Sequence, residues 1–298
     1  MKTKTIRQTV IFKATPMAVY EMLMDSKKHQ SLPGQKRRKR TVKLALYFLI
    51  FSVLVGVNCV GQAKKTEESV ASAIPTLELP ELLEIRFALS AAPPHLRNNA
   101  TTYLLDPAKG YALKHKGTNG ISCIVVRSDW QFPSVAFRDD IFWAVCYDSE
   151  GSKTLLQDYT YAAELRARGM DVKQVHSEVT RRLGSPVYPN PSRTGIGYMT
   201  APIMRGLVRS GVPTMNMPHY MFSAPNLKDA DIGGNGFSKQ YPFMLSMSPG
   251  RNDYIILLVG EAEKEKIISD SKDLIADLCS YRDYLCSTAE TRARTPFD

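Results

Sequence analysis

The fold class of this 298-residue chain is read from residues 101–127, TTYLLDPAKGYALKHKGTNGISCIVVR. Three strand-length runs, TTYLL, YALKHK and ISCIVVR, are separated by Asp106-Pro107-Ala108-Lys109-Gly110 and by Gly117-Thr118-Asn119-Gly120. Short apolar-rich runs bounded by Gly, Pro, Asn and Asp are the pattern of antiparallel strands joined by turns. Asn119-Gly120 is the strongest hairpin signal in the chain, because a type I′ turn needs positive φ at both central residues. The expectation is a three-stranded antiparallel meander.

Outward toward the C-terminus, residues 140–147 read as a fourth strand. Helical spacing follows. Leu155, Tyr159, Ala162, Ala163 and Leu165 make an apolar stripe over residues 152–168, closed by Gly169. Asp171 then caps a second helix running to Leu183, with Val172, Val175 and Val179 on one face. Residues 184–253 are rich in Pro, Gly and Met and read as an irregular segment. The run DYIILLVGEA reads as a buried strand. Residues 262–285 read as a closing amphipathic helix, with Ile267, Ile268, Leu274, Ile275 and Leu278 on one side. Residues 287–298 read as a disordered tail.

Outward toward the N-terminus, residues 84–89 alternate as a strand that Ala91-Ala92-Pro93-Pro94 breaks, and residues 64–83, with Pro75 and Pro80, read as a linker. Ahead of it stands KRRKRTVKLALYFLIFSVLVGVNCVGQA, residues 36–63. Five consecutive cations precede a 14-residue uncharged apolar run, Leu44 to Val57, and Gly61 and Ala63 follow at signal-peptidase spacing. That length fits the roughly 7–15 residues of a signal-peptide core and falls short of the roughly 20 a spanning helix needs. The first reading is export with cleavage after Ala63, to the periplasm or medium. The second is an uncleaved single-pass anchor through residues 41–60, with the basic block held on the cytoplasmic side. Lipid modification at Cys59 meets Asn58 where a small residue is wanted. The apolar neighbour explains the basic block better than nuclear localisation does.

Charge divides at the same place. Residues 1–63 hold 12 Lys and Arg against 2 Asp and Glu, whereas the remaining 235 residues hold 27 of each. The net charge of +10 therefore belongs to the leader and is no argument for a nucleic-acid partner. The combined expectation is an α+β domain over residues 84–286: an antiparallel sheet, two central helices and a C-terminal helix. A strand-helix fragment (residues 1–35) and a signal or anchor helix (residues 36–63) precede it.

Two resemblances accompany these patterns. IRQTVIFKATPMAVYEMLMDSKKH, within residues 4–34, resembles the opening of START-like domains of the Hsp90-ATPase-activator-homologue (SRPBCC) kind. It implies a helix packed in a curved sheet around a ligand cavity, with lipid binding or an Hsp90-activator role. It ends after about thirty residues, so the fragment is a truncated domain or a mis-assigned start. YLLDPAKGY, GTNGISC, YMTAPIMR, MNMPHYMFSAPN and LCSYRDYLC, spread over residues 84–286, resemble a group of secreted bacterial proteins without assigned activity. That likeness implies a folded exported domain and no site.

After cleavage four cysteines remain: Cys123, Cys146, Cys279 and Cys286. An even number in an exported chain makes disulfides the expectation, with three pairings open. Cys123 and Cys146 fall on strands that can be neighbours. Cys279 and Cys286 are seven apart, about 10 Å of rise in an unbroken helix, and can bridge only if the helix ends between them, near residues 281–283. No CxxC or spaced His ligands are present, so no metal is expected, nor any cofactor.

Signatures of catalysis are absent: no GxSxG, HExxH, phosphate loop or dinucleotide fingerprint. The glycine-rich 231–236 stretch lacks the preceding strand and the Lys of a phosphate loop, so it reads as a plain loop. Asp139 and Asp140, neighbours on a strand, point to opposite faces and cannot share a proton. His219, in the Pro-fixed apolar run Met-Asn-Met-Pro-His-Tyr-Met-Phe, is the one candidate catalytic residue, because desolvation there would shift its pKa toward a working value. The candidate binding surface is Tyr198, Met199, Met204, Met215, Met217, His219, Tyr220 and Phe222, where Met and aromatic side chains would form an adaptable apolar site for a small molecule or protein. A non-catalytic exported or envelope-associated binding module is the expected function. A hydrolase-like enzyme built on His219 and a START-like lipid binder are the alternatives.

Overall fold

The structure, a computed structural model, describes residues 79–208, 211–248, 252–289 and 291. The strand-helix fragment, the signal or anchor stretch, the cleavage site at Ala63 and most of the linker lie outside the described residues. Within them, helices sandwich a mixed, mostly antiparallel sheet, the α+β architecture the sequence implies.

The chain enters at Leu79, which is already buried, and forms α1 (Glu81–Ser90). This corrects two expectations: the linker ends before residue 79, and residues 84–89 are helix, not strand. Six alternating residues fit either period. Here Leu83, Phe87 and Ala88 share the i, i+4, i+5 spacing that buries one helical face. Pro93 and Pro94 then start the single turn α2 (Pro94–Arg97).

β1 (Thr101–Asp106) and β2 (Gly110–His115) form the expected hairpin through the Asp106–Gly110 turn, where Gly110 sits at φ +93°. β3 (Ser122–Val126) does not continue the meander. It returns to the other side of β1 and pairs with it in parallel, at Thr101↔Ser122 and Thr102↔Cys123. The expected Asn119-Gly120 hairpin is absent because Asn119 is engaged elsewhere. Its amide Nδ2 donates to the Leu96 carbonyl at 2.7 Å, its Oδ1 accepts from the Ile121 N–H at 3.0 Å, and its own N–H reaches Asn99. Only Gly120 of the pair has positive φ. The loop crosses the start of β1 at Gly117, where a Cβ would lie 2.1 Å from the Asn99 carbonyl oxygen. Gly117→Ala is therefore expected to cost about 1–3 kcal/mol through overpacking, read as a lower urea midpoint. An unchanged midpoint would mean the loop is not held against β1.

β4 (Phe142–Tyr147) pairs with β3 along its length, and both are buried throughout. α3 (Ser149–Lys153), capped by Asp148, runs into α4 (Leu155–Ala167), which ends at Gly169 with φ +84°. α5 (Val172–Arg182) carries the full capping box: Gln174 N–H to Asp171 and Asp171 N–H to Gln174, each 2.9 Å.

The Met- and Pro-rich segment is irregular over most of its length but carries short strands. It supplies β5 (Ile196–Met199), β6 (Met204–Arg205), β7 (Thr214–Met215), β8 (His219–Ser223) and β9 (Phe243–Ser248). These strands are two to six residues long, too short for period-2 patterning to emerge. β10 (Asn252–Leu258) follows, and the sheet order is β2-β1-β3-β4-β5-β8-β10-β9, with β6 alongside β4 and β7 alongside β6. On one face of β10 Tyr254 and Ile256 are covered; on the other Asp253 is buried, Ile255 half-buried and Leu257 38% exposed. The closing helix is two helices, α6 (Glu261–Asp270) and α7 (Lys272–Tyr281), parted at Ser271 and followed by a 3-10 turn, Asp283–Leu285. The start of the tail is tied down, since Asn216 N–H donates to the Thr291 carbonyl at 3.2 Å.

Two cores flank the sheet. α4 and α5 cover the face that carries Ile124, Val126, Val145, Tyr147, Met199 and Met221. α1, α7 and Leu285 cover Cys123, Val125, Phe142, Ala144 and Cys146 on the other. Cys123 and Cys146 stand directly opposite in register and are bridged, with Cα atoms 4.0 Å apart. Cys279 and Cys286 are bridged as well, because α7 ends at Tyr281 between them. Two disulfides in one domain point to an oxidising, extracytoplasmic compartment.

Candidate functional site

The candidate surface divides between the two faces of the sheet. β5 and β8 pair antiparallel with Tyr198 opposite Tyr220, Met199 opposite His219 and Ile196 opposite Phe222. Alternation then sends Tyr198, Tyr220 and Phe222 to the face of Cys146 and sends Met199, His219 and Met221 into the core beneath α4. Met215 is fully buried and Met204 packs against that same core, so neither belongs to an open surface. Met217 is half-buried, and its carbonyl is a ligand of His219. The expected methionine surface is thus corrected to an aromatic one, because strand geometry turns the methionines inward.

That aromatic band is continuous across three strands. Tyr198 and Tyr220 meet edge to face at 6.1 Å. β10 adds Ile255 opposite Phe222 and Leu257 opposite Tyr220. All are half-buried apart from the more exposed Leu257, and α6 nearby buries none of its own residues. Desolvation pushes the Tyr220 hydroxyl above its ordinary pKa, and Glu263 of α6 adds to the effect. At Ile255 the band opens into a groove of about 410 Å³ whose wall is Gly233, Gly234, Asn235, Gly236, Tyr241 and Pro242. The glycine-rich stretch, a loop as expected, forms one side of this groove. Gly233 and Gly236 hold φ of +74° and +109°, conformations that L side chains rarely adopt. No phosphate-loop pattern signals this wall; the signal is the glycine density itself.

His219 points into the core and is bonded just ahead of its own strand. It is 3% exposed, and Nδ1 lies 2.7 Å from the Met217 carbonyl, so the neutral ring donates there. Among the described residues no carboxylate bonds to it. Burial pushes its pKa down to about 4, offset in part by the Met217 carbonyl. An unfolded His titrates near 6.5. Between those two values the unfolded chain holds the extra proton, so stability falls as pH drops through this window and levels off below it. The expected loss is about 3 kcal/mol, and a His219→Gln variant should not show it. Denaturation midpoints from pH 7 to 4 for both proteins check this; parallel curves would mean the ring is solvated. Asp140 is engaged by Arg138 at 2.6 Å and by Arg205 at 2.6 Å, while Asp139 is exposed, so the two carboxylates do not act together.

No metal-ligand cluster of His, Cys, Asp and Glu occurs among the described residues. No family model, curated protein or solved structure matches the chain. The fold defines a disulfide-bonded three-layer α+β domain.

Proposed function

We propose that the chain is exported and works outside the cytoplasm as a non-catalytic binding module for a small apolar or aromatic molecule. The observation that carries the binding reading is the aromatic band of Tyr198, Tyr220 and Phe222 leading over Ile255 into the 410 Å³ groove. Its volume lies within the roughly 300–1,000 Å³ of ligand pockets, and its lining is mostly apolar. Two disulfides and the basic-apolar-small stretch of residues 36–63 support export.

The probe for binding is 8-anilinonaphthalene-1-sulfonate. Native protein is expected to enhance its fluorescence saturably, and Phe222→Ser is expected to weaken binding by roughly tenfold, the loss of one aromatic anchor. Identical titrations for both proteins would reject this seat. Export is read from the N-terminal residue and intact mass of protein recovered from fractionated cells. A chain starting at Lys64, lighter by the four hydrogens of two bridges, supports it; a full-length chain in the cytosolic fraction overturns it.

A further inference from the structure

Among the described residues, α6 is the one helix of more than two turns that buries no residue of its own. Lys264, Ile267 and Ile268 are half-buried, at the i, i+3, i+4 spacing of one helical face, and the rest of α6 is exposed. Its two neighbours in the chain are firmly held. β10, ahead of it, is paired on both sides, with β8 and with β9. α7, behind it, buries Leu274 and Leu278, and its Asp277 pairs with Arg86 of α1. The joints are lightly built. Neither end of α6 has a side-chain cap, and a Cβ at Gly260 would meet open space. At the other joint the Ser271 N–H reaches the Ile268 carbonyl at 3.3 Å.

The sheet order fixes the path of this helix. β10 ends at Leu258, opposite His219 at the start of β8. α7 covers Cys123 and Cys146, on β3 and β4. β8 and β5 lie between those places, so α6 crosses them on its way to α7. Electrostatics agree at both ends. Glu263 adds to the desolvation that raises the Tyr220 hydroxyl pKa, and Asp270 offsets part of the desolvation that lowers that of Arg97, at the end of α2. The aromatic band therefore lies along this path, and Tyr198, Tyr220 and Phe222 are only half-buried, as Ile267 and Ile268 are. A permanently packed helix buries its apolar face, as α7 does with Leu274 and Leu278. Here both apolar faces stay half open, and a ten-residue helix held so lightly opens locally at low free energy.

We infer that α6 is a lid on the aromatic band, lifting about Gly260 and Ser271 to admit the apolar or aromatic molecule and closing Ile267 and Ile268 over it. The inference rests on the binding reading above and adds the element that encloses the ligand.

The test is amide hydrogen exchange of the purified protein, free and with 8-anilinonaphthalene-1-sulfonate at about ten times its Kd. In the free protein, α6 amides are expected to exchange at least roughly a hundredfold faster than those of α7, which opens only with the core. Bound dye is expected to slow the α6 amides by roughly tenfold, the factor by which such a ligand suppresses an open state that cannot hold it. Ile267→Ser combined with Ile268→Ser is expected to weaken dye binding by roughly tenfold with Tm unchanged, since α6 buries neither side chain. Equal exchange of α6 and α7 in the free protein overturns the lid. So does α6 exchange that bound dye leaves unchanged while Phe222→Ser still weakens the dye, a result that keeps the band. A Phe222→Ser titration identical to that of the native protein rejects the band and the lid with it.

Discussion

Glu84→Ala is expected to lower stability by about 3–5 kcal/mol, the cost of leaving one member of a buried ion pair alone. Glu84 and Arg127 are 4% and 3% exposed and approach to 3.9 Å beneath α1. Solvent loss depresses the Arg127 pKa, and the Glu84 carboxylate is the first influence that restores it. With the carboxylate gone, a guanidinium stays clamped on the Phe142 ring in a site built to exclude water. The double variant Glu84→Leu with Arg127→Met should recover most of the loss, since apolar replacement of a buried pair is often neutral or better. Urea midpoints of the two proteins decide it. A single-variant loss below about 1 kcal/mol would mean water reaches the pair.

Replacing Cys123 and Cys146 together by Ala should cost about 3 kcal/mol and lower Tm by roughly 6–12 °C, in the loop-entropy account of a disulfide. The bridge closes a separation of 23 residues, against 7 for Cys279–Cys286, so removing the second pair should cost less, about 2 kcal/mol. Melts of the two paired variants rank them. The reverse ranking would show that the C-terminal bridge acts through the packing of Leu285 and Tyr284 rather than through chain entropy.

How far the fold was legible follows the range of the interaction behind each signal. Asp171 and Gln174 cap α5 through contacts three residues apart, and the cap stands as read. The Cys279–Cys286 condition, a helix ending between them, was likewise a local matter of rise per residue. Asn119-Gly120 misled because its hairpin preference lost to hydrogen bonds with Leu96 and Asn99, groups some twenty residues away. Residues 84–89 misled because a buried Glu84 breaks the apolar face of a helix unless Arg127, just past β3, is known to meet it. On the candidate surface, the sequence grouped Tyr198, Tyr220 and Phe222 with the methionines. It could not separate them from Met199 and His219, because facing is set by register, and register was unreadable in strands of four and five residues.

The earliest and latest described helices close the same core. α1 supplies Leu83 and Phe87, α7 supplies Leu274 and Leu278, and Arg86 pairs with Asp277 across them. A chain that emerges N-terminus first, from a ribosome or through a narrow pore, thus holds one face of its sheet unsealed until residues 272–285 are free. Closure of that face therefore waits on the last-made part of the core, residues 272–285.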